Sequence, residues 1–199
     1  MTETGSDARA DTRARIEHAA LELFCLKGFE HVTIDDVAAA AGISRRTFFR
    51  YFATKADAVW GDFGAHVARL ERLLAGEDDG RPVLERVCAA YVEVNDYAQA
   101  DLPVLRERMR LILGEPALLA HSELRYAEID RAVAEHVARR TGARPDDLLP
   151  RLVATTTRAA ATTAFEVWLA DGRTRLTDDL HAAFAELAGA FPALRTPGP

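Results

Sequence analysis

Four basic side chains lie close together in a stretch without any acidic residue. Residues 37–56 contain no Asp or Glu, and their bases are Arg45, Arg46, Arg50 and Lys55. A guanidinium group can donate two hydrogen bonds to the edge of guanine, and both arginine and lysine bind phosphate oxygens. The stretch therefore indicates a nucleic-acid-binding surface, although a run of charge is also typical of an ordinary solvated helix face.

The elements that would position these bases form a helix-turn-helix pattern. Thr33, with Asp36 three residues later, matches a capping box and predicts the start of a short helix. Gly42 ends that helix, and Ser44 can cap a second one running from Arg45 to about Tyr51. Two short helices joined by a tight glycine turn are typical of DNA-binding units, but they also occur in other all-α proteins.

The second of these short helices has two different faces. Phe48 and Phe52 are separated by four residues and are expected to face the core. Arg46 and Arg50, with the same spacing, project on roughly the opposite side. Hydroxyl groups placed for phosphate contacts are those of Thr33, Ser44, Thr47 and Tyr51.

The rest of the chain also has helical periodicity, and no stretch alternates as a strand does. The positions of glycine and proline, which end or begin helices, predict nine helices with short loops and therefore an all-α protein. We expect them at about 12–27, 33–41, 45–51, 54–74, 82–99, 102–113, 116–141, 145–170 and 177–191. Residues 1–11 are predicted to be a disordered tail, and residues 194–199 a second tail.

Composition limits the classes of protein that fit. The chain has 199 residues, a net charge of −6 and two cysteines, too few for a disulfide scaffold. No apolar run approaches the roughly 20 residues that cross a bilayer, so we expect no membrane partner. The polar beginning has no signal-peptide core, so a cytoplasmic location is expected.

Enzyme motifs are missing from the sequence. It contains no Gly-x-Ser-x-Gly, no Gly-x-Gly-x-x-Gly and no phosphate-binding loop, and its six histidines lack metal-ligand spacing. Cys25 and Cys88 are expected to be inert small apolar residues on helix faces. The sequence therefore predicts a protein that is not an enzyme and that uses no cofactor or metal.

Residues 33–55, TIDDVAAAAGISRRTFFRYFATK, resemble the signature of the TetR/AcrR family of bacterial transcriptional regulators, and the match covers residues 16–63 closely. The resemblance implies a transcriptional repressor that a small, lipophilic molecule releases from its operator. A non-regulatory helical dimer or scaffold protein is the alternative, but it leaves the cationic third helix unexplained.

The resemblance also assigns DNA-binding positions. Thr33 and Lys55 match phosphate contacts. The third helix corresponds to the family's recognition helix, which enters the major groove. The residues that match its major-groove end are Ser44, Arg45, Arg46 and Thr47, and those that match its second half are Phe49, Arg50 and Tyr51. Phe49 departs from the family, which usually has Tyr there, so one hydroxyl contact to phosphate is lost.

A narrower resemblance spans both halves of the chain. The segments RRTFFRYF, WGDF, PALLAHS and RYA look like those of regulators of the mycofactocin-system type. The family's organisation implies a DNA-binding domain at 12–53, a connecting helix at 54–74 and a ligand-binding and dimerisation domain at 75–193.

The resemblance further implies three partners: double-stranded operator DNA, a small-molecule effector such as a fatty-acyl thioester, and a second copy of the chain. Candidate effector contacts, each of which fits plain core as well, are Tyr91, Leu105, Met109, Ile112, Tyr126, Ile129, Phe165 and Trp168. The homodimer would form through helices 8 and 9, where Leu180, Phe184, Leu187 and Phe191 have near-heptad spacing. The sequence alone equally allows an intramolecular bundle.

Overall fold

The computed structural model describes residues 3–76, 80–172 and 174–189, and the regular secondary structure in these ranges is entirely helical. The helices are α1 (Glu3–Lys27), α2 (Ile34–Ala40), α3 (Arg45–Tyr51), α4 (Phe63–Ala75), α5 (Val83–Val94), α6 (Leu102–Gly114), α7 (Pro116–Thr141), α8 (Leu148–Asp171) and α9 (Leu176–Ala188). A one-turn 3₁₀ helix covers Asp57–Val59. The predicted all-α class is confirmed.

The chain divides into two compact units. The first comprises residues up to 62 together with 103–121, and the second comprises 63–102 and the chain from 122 onward. The first unit therefore contains α1, α2, α3 and nearly all of α6. The predicted domain bounds, 12–53, 54–74 and 75–193, stay predictions.

The core of the first unit forms where the apolar faces of α1, α2 and α3 meet. Ile16, Phe24 and Phe48 are at most 1% exposed, and Val37 is completely buried. The apolar side chains of α1 therefore form the face that packs on the helix-turn-helix. Burying each large side chain contributes about 1.5–3 kcal/mol, so this small unit depends on every one of them.

Helix α1 begins much earlier than the sequence indicates. The prediction placed its start at Thr12 and a disordered tail at 1–11, but residues from Glu3 onward are helical. Thr12 does not cap the helix, since its hydroxyl donates to the Ala8 carbonyl at 2.9 Å, one turn back inside the helix. Alanine and arginine are good helix formers, so the segment before Thr12 continues the helix. The predicted tail at 194–199 lies outside the described residues.

The predicted connecting helix 54–74 is not one helix. Thr54 and Asp57 form a reciprocal pair, in which the Thr54 amide donates to Asp57 Oδ2 at 2.8 Å and the Asp57 amide donates to the Thr54 hydroxyl at 3.2 Å. This pair opens only the 3₁₀ turn. Gly61 then adopts φ +63°, a left-handed conformation that ends the turn. The long helix α4 therefore begins only at Phe63.

In the second unit, α5, α8 and α9 share a core. The rings of Tyr91 and Phe184 lie 5.6 Å apart, and Leu180 is completely buried. Two of the near-heptad residues of α9 therefore pack within their own chain, Leu187 is half-buried, and Phe191 lies outside the described residues.

Helix α5 ends at Val94 rather than at the predicted 99. The side-chain amide of Asn95 donates to the Tyr91 carbonyl at 2.8 Å, and it thus satisfies one of the carbonyl groups left at the helix end. Among the described helices, none combines the length and apolar character that crossing a membrane requires.

Candidate nucleic-acid interface

Side-chain caps fix both helices of the helix-turn-helix. The Thr33 amide donates to Asp36 Oδ2 at 2.8 Å, and the Asp36 amide donates back to the Thr33 hydroxyl at 3.2 Å. This arrangement is the predicted capping box. At the start of α3, the Thr47 amide donates to the Ser44 hydroxyl at 3.1 Å. Each cap stabilises its short helix by about 1 kcal/mol.

Two aromatic side chains anchor α3 to the unit, as predicted. Phe48 is completely buried and Phe52 is 3% exposed, and their ring centroids lie 5.6 Å apart. Phe49 is different, because it is 45% exposed. The buried pair holds one face of α3 inward, so the opposite face is presented to solvent.

Arginines occupy the exposed face of α3. Arg46 is exposed, and it makes no hydrogen bond or ion pair with the described residues. Arg45 donates to Asp35 Oδ2 at 2.9 Å and lies over the Phe49 ring at 5.4 Å. Exposed ion pairs of this kind contribute at most about 1 kcal/mol, so a phosphate or a base can displace Asp35.

The predicted hydroxyl donors are engaged locally. The Thr33 hydroxyl donates to Asp36 Oδ2 at 2.6 Å, and the Ser44 and Thr47 hydroxyls lie 2.9 Å apart. Tyr51 accepts a hydrogen bond from Arg50 Nη2 at 3.3 Å, which lowers the pKa of its phenol. Contacts from these hydroxyls to DNA would therefore add to, or replace, bonds within the unit.

Lys55 binds within its own unit. Its Nζ donates to the carbonyls of Phe29 and Val32 at 2.7 and 3.1 Å, and it lies 4.3 Å from the centre of the Phe29 ring. The ammonium group thus joins the loop before α2 to the segment after α3. Sequence reasoning assigned Lys55 to phosphate, but in this structure it first serves as an internal cross-link.

Sequence reasoning did not identify one basic residue near this surface. The guanidinium carbon of Arg9 lies 5.9 Å from the centre of the Tyr51 ring. Arg9 was assigned to a disordered tail, yet it belongs to α1. Its spacing of four residues from Arg13 was a helical signal that could have extended the helix and revealed it.

Arg13 ties α1 to the end of the helix-turn-helix. Its Nε donates to Glu17 at 2.8 Å, its Nη2 donates to the Gly61 carbonyl at 3.0 Å, and its guanidinium carbon lies 4.7 Å from the Phe52 ring centre. Burial raises the pKa of Glu17, although Arg13 opposes that effect. The Gly61 turn is therefore fixed to the DNA-binding helices.

Helix α6 packs on the same turn. A Cβ atom added to Gly61 would lie 2.8 Å from Cζ of Arg108, so the guanidinium occupies the space beside the glycine. Cys25, at the end of α1, lies 3.6 Å from Glu107 through its Sγ. Cys25 is exposed, contrary to the expectation of an apolar helix face. Partial desolvation of its thiol and the nearby Glu107 carboxylate raise the pKa of that thiol.

The candidate effector residues fall into two groups. Leu105 and Ile112 are buried and Met109 is half-buried, and all three belong to α6 in the first unit. The other five belong to the second unit, where Tyr126 is half-buried and the buried ones are Tyr91, Ile129, Phe165 and Trp168. Such burial fits both a plain core and an effector site.

A polar group interrupts the aromatic core of the second unit. Arg158 donates from Nε to both carboxylate oxygens of Asp130, at 3.0 and 3.1 Å, and its guanidinium lies 5.2 Å from the Tyr126 ring centre. The Tyr91 hydroxyl is buried beside the Thr157 hydroxyl. Burial raises the pKa of this phenol, and Thr157 opposes that effect. Within the described ranges, no group of His, Cys, Asp and Glu is arranged to hold a metal ion.

Two family models match the chain. Residues 16–58 match the family "Bacterial regulatory proteins, tetR family", which is the helix-turn-helix end of the chain. Residues 81–192 match the "MftR C-terminal domain". The second match confirms the narrower resemblance to mycofactocin-system regulators.

Individual relatives agree with these matches. The chain is 42% identical over 176 residues to the Mycobacterium tuberculosis protein named "Putative mycofactocin biosynthesis transcriptional regulator MftR", and the match covers 88% of this chain and 89% of that one. It is 32% identical to the HTH-type transcriptional regulator TcmR of Streptomyces glaucescens, covering 92% and 83% of the two chains.

A solved structure shares the fold. Thermus thermophilus FadR, a TetR-family repressor in complex with lauroyl-CoA, superposes with a TM-score of 0.57 at 23% identity, covering 94% of this chain and 98% of that one. The family models and the two sequence relatives carry the assignment, since each relative covers at least 88% of this chain. The chain belongs to the TetR family of bacterial transcriptional regulators.

Proposed function

We propose that this protein is a homodimeric repressor whose α3 binds operator DNA and whose affinity for that DNA falls when a small lipophilic effector binds. The observation that carries the DNA-binding part is the exposed arginine face of α3, held outward by the buried Phe48. Arg46, without a partner in the described protein, is the side chain best placed to bind a base edge or a phosphate.

The dimer gives this surface its specificity. Two copies of α3, presented in successive major grooves, would bind a roughly palindromic operator. Measuring fluorescence anisotropy with the DNA that flanks the protein's own gene tests this proposal. Nanomolar affinity that falls steeply with salt is expected, together with much weaker binding to shuffled DNA of the same length. Equal affinity for both DNAs would favour the scaffold alternative.

We assign the dimer contact to the exposed side of α8. Its positions fall on a single helical face and are apolar or small, although solvent-exposed within the chain: Leu148, Leu152, Thr155, Ala159, Thr163 and Val167. Leu148 is 81% and Val167 49% exposed, an unusual exposure for large aliphatic side chains in a row.

Light scattering with two matched variants tests this contact. Val167→Glu should produce monomers, because a charge would be buried in the contact. Leu124→Glu, at a position 71% exposed on α7, should leave the dimer intact. A dimer that survives Val167→Glu, or a wild-type monomer at micromolar concentration, would remove this assignment.

We infer that the effector combines an apolar chain with a hydrogen-bonding group. The aromatic residues of the second unit suit an apolar chain, and the Tyr91 hydroxyl and the Nη groups of Arg158 suit a carbonyl or an anion. A fatty-acyl thioester has both parts. The lauroyl-CoA bound to the Thermus thermophilus relative makes lauroyl-CoA a reasonable probe.

The Tyr91→Phe variant separates an effector role from a structural one. Removing this buried hydroxyl, which lies beside the Thr157 hydroxyl, should lower stability by at most about 1 kcal/mol. If that hydroxyl binds the effector, the same variant should weaken lauroyl-CoA binding about tenfold, or about 1.4 kcal/mol. Unchanged affinity in a calorimetric titration would exclude Tyr91 from the effector site.

Within the first unit, the route to DNA runs, in this proposal, through α6 and the Gly61 turn. Helix α6 carries Leu105, Met109 and Ile112 and also Arg108, which lies on Gly61. A shift of α6 would therefore move the turn that Arg13 ties to α3. By linkage, lauroyl-CoA and operator DNA must weaken each other's binding by the same factor.

Because its DNA partner is cytoplasmic, we place the protein in the cytoplasm.

A further inference from the structure

A cavity lies within the second unit, lined by residues that are not among the candidate effector contacts. Its volume is about 520 Å³, and the end of α4, the start of α5 and the C-terminal part of α7 form its walls. The polar side chains around it are Glu71, Arg86, Glu135, His136, Arg139 and Arg140. This volume lies within the range of roughly 300–1,000 Å³ typical of small-molecule sites.

The cavity has more positive than negative groups. Arg86, Arg139 and Arg140 contribute three guanidinium groups to its lining. The two carboxylates, Glu71 and Glu135, each accept a hydrogen bond from Arg131 at 3.0 Å, which offsets their charge. An anion is therefore the favoured occupant.

His136 provides the second, independent sign of a ligand. The residue is only 3% exposed, and its Nε2 is buried without any hydrogen-bond partner. Burial, reinforced by Arg139, Arg86 and Arg140, lowers the pKa of this imidazole to about 4. A buried polar nitrogen without a partner is costly, and a ligand that bonds to it would remove that cost.

We propose that this cavity binds a small phosphorylated molecule. Guanidinium groups bind phosphate oxygens in a bidentate way. A phosphoryl group offers enough oxygens for several arginines and, once the imidazole of His136 is protonated, for its Nε2–H. The cavity is larger than inorganic phosphate needs, so the phosphoryl group belongs to a larger body. Glu71 and Glu135 suit hydroxyl groups of that body, as in a nucleotide.

None of the candidate effector contacts lines this cavity. Ile129 and His136 both belong to α7, seven residues and therefore about 10 Å apart along the helix. The proposal does not depend on DNA binding. Because lauroyl-CoA itself carries phosphoryl groups, pyrophosphate, which has no acyl chain, tests this cavity apart from the effector.

Calorimetric titration with four probes tests the proposal in the full-length protein. Pyrophosphate and ADP are expected to bind, inorganic phosphate to bind more weakly, and adenosine, which has no phosphate, not to bind. Arg139 is exposed and bonds to no described residue, so Arg139→Ala should fold normally and weaken ADP binding at least tenfold. The control Arg144→Ala removes an exposed arginine elsewhere in the unit and should leave binding unchanged.

A nuclear magnetic resonance titration of His136 gives a second measurement. Pyrophosphate should raise the pKa of the imidazole, because a bound anion offsets the three arginines. Equal ADP affinity in Arg139→Ala and the wild type, a His136 pKa unmoved by saturating pyrophosphate, or the absence of any binding by pyrophosphate and ADP would overturn the proposal.

Discussion

His121 Nε2 lies 3.0 Å from Asp57 Oδ1, and both side chains are largely buried, with 19% and 12% of their surface exposed. The other carboxylate oxygen of Asp57 accepts hydrogen bonds from the Thr54 amide and hydroxyl, at 2.8 and 2.9 Å. One carboxylate therefore joins the beginning of α7 to the turn that follows the helix-turn-helix.

Removing Asp57 should cost more stability than removing His121. Asp57→Ala deletes three hydrogen bonds, one of them to a backbone amide, and should lower the unfolding free energy by about 2–3 kcal/mol. His121→Ala deletes only one and should cost about 1 kcal/mol. Urea denaturation measures both, and equal losses for the two variants would contradict the shared role of the carboxylate.

The neighbouring phenylalanines of α3 should differ sharply. Phe48 is completely buried, so Phe48→Ala should lower the unfolding free energy by about 3–5 kcal/mol. Phe49 is 45% exposed, so Phe49→Ala should change it by less than about 1 kcal/mol. Thermal melts followed by circular dichroism distinguish them, and an unaltered melt for Phe48→Ala would disprove its burial.

Gly61 should tolerate a side chain less well than other left-handed glycines. Gly61→Ala combines the strain of φ +63° with a clash against Arg108, whereas Gly142→Ala, at φ +69°, meets no atom within 4 Å. Strain alone costs about 1–2 kcal/mol, so Gly142→Ala gives the reference and Gly61→Ala should lose measurably more. Similar losses would mean that Arg108 adjusts without cost.

The buried His136 and the half-buried His66 should make the protein sensitive to acid. Burial lowers the pKa of both His66 and His136 to about 4, assisted by Arg69 and by the cavity arginines respectively. Because these values lie below the unfolded value of 6.5, the unfolded chain binds protons first, and stability is lost as the pH falls from 6.5 to 4.

Urea titrations at pH 7.5 and pH 4.5 measure this loss, expected to be about 1–3 kcal/mol for each histidine. The variants His66→Gln and His136→Gln should each have a flatter pH dependence than the wild type. Curves parallel to the wild type would show that other groups cause the acid sensitivity.

The sequence predicted the helix-turn-helix well because local signals determine it. Thr33 and Ser44 cap their helices as their positions indicated, and the spacing of Phe48 and Phe52 correctly placed both in the core. A cap or an aromatic pair is decided within one or two helical turns, so neighbouring residues carry enough information.

Features that depend on distant residues were not predictable in this way. The break at Gly61 depends on Arg13 and Arg108, which lie 48 and 47 positions away in the sequence. The internal role of Lys55 depends on the carbonyls of Phe29 and Val32. The sequence does not indicate which backbone carbonyls will lie within reach of a given side chain. The isolated Nε2 of His136 likewise depends on how α4, α5 and α7 pack.

The most direct test of the account is the operator affinity of Arg46→Ala. Fluorescence anisotropy at fixed salt should show a loss of about 1–3 kcal/mol on operator DNA, with a much smaller change on shuffled DNA. The control Arg144→Ala, whose arginine pairs with Asp147 in the second unit, should bind like the wild type. If Arg46→Ala binds operator DNA as tightly as the wild type, α3 does not recognise DNA through its exposed arginine face.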